Sequence, residues 1–397
     1  MSFTAQDEQY MRRALDLARQ GTGQATPNPR VGAVVLSAQG EIAGSAFHTY
    51  AGEKHAEALA LEQAQARARG GTLYLNLEPC SHHGRTAPCA DLVIAAGVRR
   101  VVAAMTDPNP VVAGAGFAKL RAAGIQVDSG LLEGEARKLN ESFARYILTG
   151  LPLVTLKSGM TLDGKIAPPP GESPGSSALG ATGGWITSAE ARAHVQELRH
   201  ESDAIMVGVG TVIADDPLLT DRSGLPRRRP LLRVVLDSRL RLPMESRLVK
   251  TAGKDVVVFC SFAEEKKKQE LEARGIRVEQ APLGSGNGRP DLRQVAARLG
   301  QMEITSLLIE GGALVNWAAL AAGIVDKVFL YYAPKILAGT GSVPFAAGAG
   351  FRKISEAALV KNIVLHRFGE DFAVEGYLRD PYVSVVAVPA EKTTEQL

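Results

Sequence analysis

Predicted strands and helices alternate along nearly the whole chain, and this alternation restricts the fold more than any other feature of the sequence. Short apolar runs such as 72–77 have the length of buried strands, whereas segments such as 7–20 place apolar residues at helical spacing. The alternation predicts an α/β architecture built on a central sheet. In the first half the predicted strands are 31–36, 41–46, 72–77, 100–105 and 125–130, the predicted helices are 7–20, 55–69, 91–96 and 116–123, and a long amphipathic segment at 133–148 closes this half.

A second α/β pattern begins after Gly150-Leu151-Pro152, which marks the predicted domain junction. A chain of 397 residues is too long for one ordinary domain. We therefore predict a first domain at 1–150, a second domain at 151–382 and a C-terminal tail at 383–397. In the second domain the predicted strands are 153–158, 203–208, 231–237, 255–260, 276–280, 305–310, 326–333 and 362–378, and the predicted helices are 188–201, 263–274, 291–301 and 313–322.

The composition excludes several classes of protein. A formal net charge of +3 is small for this length and does not predict a nucleic-acid partner. Three cysteines predict no disulfide framework, and a reducing compartment fits this number. The first residues are polar and acidic, unlike a signal peptide, and no apolar run reaches the roughly 18–20 residues that span a bilayer. The expected location is the cytoplasm, with no membrane partner.

The sequence contains a set of residues that can hold one zinc ion: His55 in His-Ala-Glu, Cys80 after Pro79, and Cys89. Three protein ligands leave the fourth tetrahedral position open, as in catalytic zinc sites, and zinc lowers the pKa of bound water towards 7. Glu57 is then expected to transfer protons without ligating the metal. This division of roles is that of zinc-dependent nucleobase deaminases, which carry H-x-E followed by P-C-x-x-C.

The cysteine spacing departs from that general pattern, because eight residues separate Cys80 from Cys89. Two other hypotheses stay open at this point. A deaminase of RNA or of free nucleosides with a C-terminal binding module would have P-C-x-x-C and basic or aromatic surfaces. A structural zinc domain for protein contacts usually has four protein ligands, and it would leave Glu57 without a function.

Several motifs of the first half resemble the deaminase half of the bifunctional riboflavin-biosynthesis deaminase/reductases, in which the longer cysteine spacing is the usual one. The motifs are Thr26-Pro27-Asn28-Pro29, His55-Ala56-Glu57, the segment from Leu77 to Cys89, and Asp107-Pro108-Asn109-Pro110. The resemblance implies a cytidine-deaminase-like three-layer α/β domain. It also implies hydrolytic removal of the C2 amino group from 2,5-diamino-6-ribosylamino-4(3H)-pyrimidinone 5′-phosphate. Asn28 matches the position expected to bind the edge of the pyrimidine.

The second half has no G-x-G-x-x-G after its first strand, so it lacks the dinucleotide fingerprint of a Rossmann fold. It instead resembles the family's reductase half, which has a dihydrofolate-reductase-like fold and reduces the ribosyl side chain to ribityl with NADPH. A homo-oligomer assembled through this half is also implied. The segments that carry this resemblance are 157–165, 184–187, 210–220, Asp237-Ser238 and Glu310-Gly311-Gly312.

The resemblance also implies which residues form the reductase site, and Lys157 or Asp215 is expected to assist the reduction. Glycines after the apolar strand 307–309 would let backbone amides approach the cofactor diphosphate at a helix N-terminus. An arginine fork suits the substrate phosphate. The implied cofactor-binding residues are Met160, Trp185, Thr211, Asp215, Ser238, Gly311 and Gly312, and the implied substrate-binding residues are Gly183, Arg199, Leu219, Arg222 and Glu310.

The resemblance breaks in the Pro-, Gly- and Ser-rich segment 168–184, which is a predicted surface loop. Eleven residues separate Gly171-Glu172-Ser173 from Trp185-Ile186-Thr187, where the family usually has one. Gly183 stands where a substrate-binding serine is expected. The run Arg227-Arg228-Arg229 is predicted to be a solvated loop that helps to attract an anionic substrate.

Overall fold

The computed structural model describes residues 3–50, 52–81, 88–169, 184–284 and 288–383. Most of the expected loop 168–184, including Gly183, lies outside these residues, as does most of the expected tail 383–397. Among the described residues, no helix combines the length and the apolar character that crossing a membrane requires.

The N-terminal half folds around a five-stranded sheet in the order β2-β1-β3-β4-β5. The hairpin predicted for its first two strands is confirmed, because β1 pairs antiparallel with β2; β3 to β5 run parallel. Its elements are α1 (Ala5–Arg19), β1 (Gly32–Leu36), β2 (Ile42–Phe47), α2 (Ala56–Ala64), β3 (Thr72–Leu75), α3 (Cys89–Ala95), β4 (Arg100–Ala103), α4 (Ala115–Ala122), β5 (Gln126–Ser129), α5 (Glu133–Leu139) and α6 (Glu141–Thr149).

Two glycines show that helices cover both faces of this sheet. A Cβ atom at Gly32 would lie 2.1 Å from the carbonyl oxygen of Ala14 in α1, and one at Gly44 would lie 2.1 Å from that of Ala60 in α2. Gly44 lies opposite Val35 in the pairing of β1 with β2, and Val35 is three positions after Gly32 in β1. Successive side chains of a strand alternate between faces, so α1 and α2 pack on opposite sides. The predicted three-layer arrangement is confirmed.

The C-terminal half contains a nine-stranded sheet in the order β11-β10-β9-β8-β12-β6-β13-β16-β15, in which the last two pairings are antiparallel and the others parallel. The strands predicted from apolar runs are all present. The elements are β6 (Leu153–Thr161), β7 (Lys165–Ala167), α7 (Ala189–Glu201), β8 (Ala204–Gly208), α8 (Val209–Asp215), β9 (Leu232–Leu236), α9 (Arg247–Lys250), β10 (Val256–Cys260), α10 (Glu265–Glu272), β11 (Arg277–Gln280), α11 (Leu292–Gln301), β12 (Ser306–Ile309), α12 (Ala313–Ala321), β13 (Lys327–Ala333), β14 (Val343–Pro344), β15 (Lys361–Phe368) and β16 (Asp371–Tyr377).

The amphipathic segment 133–148 forms two helices, α5 and α6, with a break at Asn140. The buried Asn140 side chain bonds the backbone of Arg30: its Oδ1 accepts from the N–H and its Nδ2 donates to the carbonyl oxygen. Asparagine side chains that bond to backbone groups compete with helix continuation. The short elements α8, α9, β7 and β14 were also not predicted.

The two halves meet through charged side chains of α6. Glu141 Oε1 accepts a hydrogen bond of 2.6 Å from Lys327 Nζ of β13, and Arg145 Nε lies 3.3 Å from Asp326 Oδ1. The side chains of Arg145 and Asp326 are only 3% and 0% exposed. A buried ion pair of this kind is strongly destabilised when one partner is lost, because the remaining charge has no counter-ion.

Candidate active sites

The three predicted zinc ligands converge at the end of β3 and at the start of two helices. His55 caps the N-terminus of α2, Cys80 follows β3, and Cys89 begins α3. Their ligand atoms all lie within 4.8 Å of one another. His55 Nδ1 is 3.3 Å from Cys89 Sγ and 3.7 Å from Cys80 Sγ. Tetrahedral zinc would place a nitrogen and a sulfur ligand about 3.6 Å apart, so the geometry of the side chains fits the metal.

The electrostatics at this point favour a metal-binding thiolate. The contact with Cys89 is the main cause that lowers the pKa of the Cys80 thiol, and His55 lowers it further. The backbone N–H of Cys89 also donates to Cys80 Sγ over 3.3 Å. Thiolate and imidazole donors are the ligands that zinc prefers in proteins.

Glu57 lies in the first turn of α2, two residues after His55, and is 3% exposed. Burial raises the pKa of its carboxyl group, and the nearby His55 acts in the opposite direction. A carboxyl group with a raised pKa exchanges protons more readily near neutral pH. The structure thus brings the predicted proton-transfer residue beside the three predicted ligands.

A cavity of about 360 Å³ opens at these residues and is lined by His55, Glu57, Cys80 and Asn28. His48 also lines it, and sequence reasoning missed this residue. Asn28 Nδ2 is 3.0 Å from His48 Nε2, and the other ring nitrogen of His48 is 3.2 Å from the carbonyl oxygen of Lys54. The imidazole is therefore fixed and orients the predicted pyrimidine-binding amide. A single histidine just after a strand carries no sequence signal of this function.

Besides Glu57, the acidic residues Glu78 and Asp107 line the cavity. The Glu78 carboxylate accepts hydrogen bonds from the backbone N–H groups of Asp107, Gly114 and Phe117, so it fixes the segment that follows β4. Burial raises the pKa of Asp107 to about 7. Asn109 lines the same cavity, and its N–H donates to Asp107 Oδ1. The turn at 107–110 therefore borders the cavity.

In the C-terminal half, Glu310 lies at the carboxyl end of β12 and contacts two positively charged side chains. Arg199 donates to both carboxylate oxygens, over 2.7 and 3.1 Å, and Lys157 Nζ lies 3.3 Å from Oε2. Burial opposes ionisation, but the charges of Lys157 and Arg199 prevail and lower the pKa of Glu310 to about 2. Two predicted substrate-binding residues, Arg199 and Glu310, are thus in direct contact.

The predicted cofactor residues Gly311 and Gly312 lie between β12 and α12, with Gly312 at the N-cap. A Cβ atom at Gly312 would be 3.7 Å from Thr211 Oγ1, so the structure brings these two predicted residues together. Asp215, at the end of α8, has a raised pKa because it is desolvated. Met160 is buried in β6, Ser238 is half-buried after β9, and Trp185 is half-exposed, with the Arg192 guanidinium 4.7 Å from its ring centroid.

The other predicted substrate residues are less closely grouped. Leu219 is buried and has a left-handed backbone, with φ of 56°. Arg222 is exposed, and its backbone N–H donates to Gln196 Oε1, three residues before Arg199 in α7. Gly183 lies outside the described residues.

Two family models match the chain, one in each half. The model of the cytidine and deoxycytidylate deaminase zinc-binding region matches residues 4–105, and the model of the RibD C-terminal domain matches residues 152–374. The first identifies the metal of the N-terminal site as zinc. The second does not favour the hypothesis of a nucleoside or RNA deaminase with a C-terminal binding module.

Relatives resemble the chain over nearly its full length. The riboflavin biosynthesis protein RibD of Actinobacillus pleuropneumoniae is 42% identical over 378 residues, which are 95% of this chain and 97% of the relative. The structure of Acinetobacter baumannii RibD has a TM-score of 0.79 at 35% identity and covers 94% of this chain and 98% of its own.

A second solved structure is the diaminohydroxyphosphoribosylaminopyrimidine deaminase/5-amino-6-(5-phosphoribosylamino)uracil reductase of Thermotoga maritima. It has a TM-score of 0.78 at 37% identity and covers 94% of this chain and 98% of its own. Because a family model matches each half and RibD relatives match nearly the full length, the chain belongs to the RibD family of bifunctional riboflavin-biosynthesis enzymes.

Proposed function

We propose that His55, Cys80 and Cys89 hold the zinc ion of the deaminase and that Glu57 transfers its protons. The chain is a bifunctional enzyme that deaminates 2,5-diamino-6-ribosylamino-4(3H)-pyrimidinone 5′-phosphate and then reduces the ribosyl side chain with NADPH. The observation that carries the residue assignment is the convergence of one imidazole and two sulfurs within 4.8 Å of one another.

In the deaminase, bound zinc lowers the pKa of water so that hydroxide is available at neutral pH. Glu57 would accept one proton from the attacking water and deliver it to the ring nitrogen, and it would then move the proton of the new C2 hydroxyl group to the amino group, which leaves as ammonia while the C2 carbonyl forms. Its burial supports this function, since a desolvated carboxyl group holds a proton more readily than an exposed one. Asn28, oriented by His48, would bind the edge of the pyrimidine and place C2 beside Glu57.

The test of this assignment is the full-length Glu57→Gln variant. We expect ammonia release to fall by at least about 100-fold, since general acid–base catalysis contributes about 10²–10⁴-fold. Zinc content should stay at the wild-type level, and NADPH oxidation with pre-deaminated substrate should be unchanged. A surface variant, Glu272→Gln on α10, controls for the amide substitution. Loss of zinc from Glu57→Gln would show that Glu57 is a ligand instead.

For the reductase, we propose that Gly311 and Gly312 bind the NADPH diphosphate at the N-terminus of α12, with Thr211 beside them. Met160, Trp185, Asp215 and Ser238 are proposed cofactor contacts as well. Glu310, Arg199 and Lys157 would form the polar surface against the ribosyl chain, with Arg222, Leu219 and Gly183 as further substrate contacts. NADPH held there would supply a hydride to C1′ of the ring-opened ribosyl imine, and Lys157 or Asp215 would assist by polarising the imine or by protonating its nitrogen, which gives the ribityl chain.

We further propose domains at 1–150 and 151–382 followed by a tail at 383–397, a cytoplasmic location, and no nucleic-acid or membrane partner. A homo-oligomer is proposed through the edge strand β15, where Ile363, Val364 and Leu365 are 57%, 46% and 70% exposed. Apolar side chains on an unpaired sheet edge favour pairing with another chain. Leu365→Lys should lower the mass measured by light scattering to that of one chain.

A further inference from the structure

A residue of the C-terminal half lines the deaminase cavity. Glu303 lies in the turn between α11 and β12, yet it borders the same cavity as Asn28 and His48. We propose that Glu303 contacts the ribose hydroxyl groups of the deaminase substrate. This inference rests on the proposed function of Glu57. It implies that residues of both halves of the chain form the deaminase site.

The backbone of Glu303 is held in an unusual conformation. Its φ is 58°, in the left-handed region that follows many helices and that glycine or asparagine normally occupies. Its N–H donates to the carbonyl oxygen of Gly300, and its own carbonyl oxygen accepts from Arg229 Nη2 over 2.8 Å. Since 62% of the Glu303 side chain is exposed, packing of that side chain does not explain why glutamate occupies this backbone conformation, and a function at the position does.

The arginine run, predicted to be a solvated loop, instead secures this contact between the halves. The Arg228 guanidinium lies 3.9 Å from the Tyr50 ring centroid and donates to the Tyr50 hydroxyl over 2.8 Å. Arg229 bonds the Glu303 carbonyl oxygen, and its Nη1 is 4.0 Å from the Glu303 carboxylate. Cavity-lining Glu53 follows Tyr50 closely in sequence. The run thus fixes Glu303 relative to the first half.

The substrate's shape determines which of its groups reaches Glu303. The reacting carbon C2 has to lie beside Glu57, which is 3% exposed and marks the deep end of the cavity. The ribosylamino group on C6 would then extend away from Glu57, towards the exposed side chain of the cavity-lining Glu303. A carboxylate accepts hydrogen bonds from hydroxyl groups and repels a phosphate, so the ribose is the expected contact.

The experiment measures ammonia release by full-length Glu303→Gly, Glu303→Gln and the control Glu272→Gln. Each is assayed with the ribosylamino substrate and with the sugar-free 2,5,6-triamino-4-pyrimidinone. We expect Glu303→Gly to raise KM for the ribosylamino substrate about tenfold, as loss of a hydrogen bond to a charged group implies. Its kcat should stay within about twofold of wild type, and Glu303→Gln, which keeps one acceptor oxygen, should have a smaller effect. KM for the sugar-free base should not change.

Glycine relieves the left-handed strain, so the Tm of Glu303→Gly should equal or exceed that of wild type, which separates loss of contact from loss of folding. A KM within about twofold of wild type, or equal increases for both substrates, would overturn the inference. A wild-type enzyme that releases no ammonia from the ribosylamino substrate would instead count against the proposed function itself. Glu272→Gln should match wild type in every assay.

Discussion

Arg199 and Glu310 form a two-bond ion pair, with the guanidinium Nε and Nη2 donating over 2.7 and 3.1 Å to the two carboxylate oxygens. Both side chains are 11% exposed, and Arg199 Nη1 additionally donates to the carbonyl oxygen of Thr220. The same carboxylate lies 3.3 Å from Lys157 Nζ. Arg199 and Glu310, which the family resemblance assigns to substrate binding, therefore hold each other in position. Glu310 also positions the Lys157 ammonium group.

The first prediction concerns the pH dependence of this cluster. The pKa of Glu310 is lowered to about 2 in the folded chain, against an ordinary value of 4.5. Its ionised form therefore stabilises the fold above about pH 4.5, and this contribution is lost as the pH falls towards about 2. Glu310→Gln should be less stable than wild type by about 2–4 kcal/mol at pH 7.

The measurement is urea unfolding of wild type, Glu310→Gln and the surface control Glu272→Gln at several pH values. The difference in unfolding free energy between wild type and Glu310→Gln should shrink below about pH 4.5. A difference that stays constant down to pH 3 would contradict the assignment. NADPH oxidation should fall in Glu310→Gln, whereas ammonia release should be retained.

The second prediction concerns metal removal. Chelation of zinc, or Cys89→Ser, should abolish ammonia release, because the remaining ligands hold the ion weakly. NADPH oxidation with the pre-deaminated substrate should continue at the wild-type rate. Metal analysis should find about one zinc per wild-type chain and a clear deficit in Cys89→Ser. Cys260→Ser, at a buried cysteine of β10, is the matched control and should retain the metal. Full zinc in Cys89→Ser would exclude it as a ligand.

The third prediction concerns the glycines before α12. A Cβ atom at Gly311 would lie 2.7 Å from Val315 Cβ, which is too close for an unshifted helix. Gly311→Ala should destabilise the fold by about 1–3 kcal/mol and raise the Kd for NADPH, measured by fluorescence titration. Gly134→Ala is the control, because nothing lies within 4 Å of its added methyl group. Unchanged NADPH affinity in a folded Gly311→Ala variant would argue against cofactor binding here.

The fourth prediction concerns the contact between the halves. Asp326 is fully buried, lies 3.3 Å from Arg145 Nε and 3.1 Å from Arg379 Nη1, and accepts a hydrogen bond from the Val154 N–H. Asp326→Asn should lower the free energy of unfolding by about 3–5 kcal/mol, because it leaves the Arg145 charge buried without a partner. Thermal unfolding measures the loss, and adding Arg145→Met should recover part of it. If the double variant is less stable than the single one, the pair is not coupled as described.

The alternation of elements and the zinc motif were predictable from local signals. Apolar runs identified every strand except the short β7 and β14, since the apolar residues of a strand follow one another in the sequence. His55, Glu57, Cys80 and Cys89 carry a pattern with a known chemical reason. The break between α5 and α6 could not be predicted, because it depends on the bond of Asn140 to Arg30, a contact 110 residues away in sequence that no local periodicity contains.

The contributions of His48, Glu78 and Glu303 could not be predicted for a similar reason. Each depends on neighbours brought close by the fold: His48 on Asn28, Glu78 on the backbone after β4, and Glu303 on Arg229. Charge runs such as 227–229 are usually solvated, and only the packing of the halves shows that this one joins them. The assignments around Arg222 and Gly183 still rest on family resemblance alone.

Helix α6 has two faces with different neighbours. Phe143 and Ile147 border the deaminase cavity. Glu141 and Arg145 lie about 200° away from them around the helix axis. They contact Lys327 of β13 and the preceding residue Asp326, respectively. Cutting the polypeptide at Gly150 to obtain a stand-alone hydrolase would expose Glu141 and Arg145 to water, which solvates both charges, but it would remove the neighbours that support one wall of the cavity. Any engineered monofunctional version of the N-terminal unit can therefore keep those two charged side chains, but it must replace the support that α6 receives from the C-terminal half to remain active.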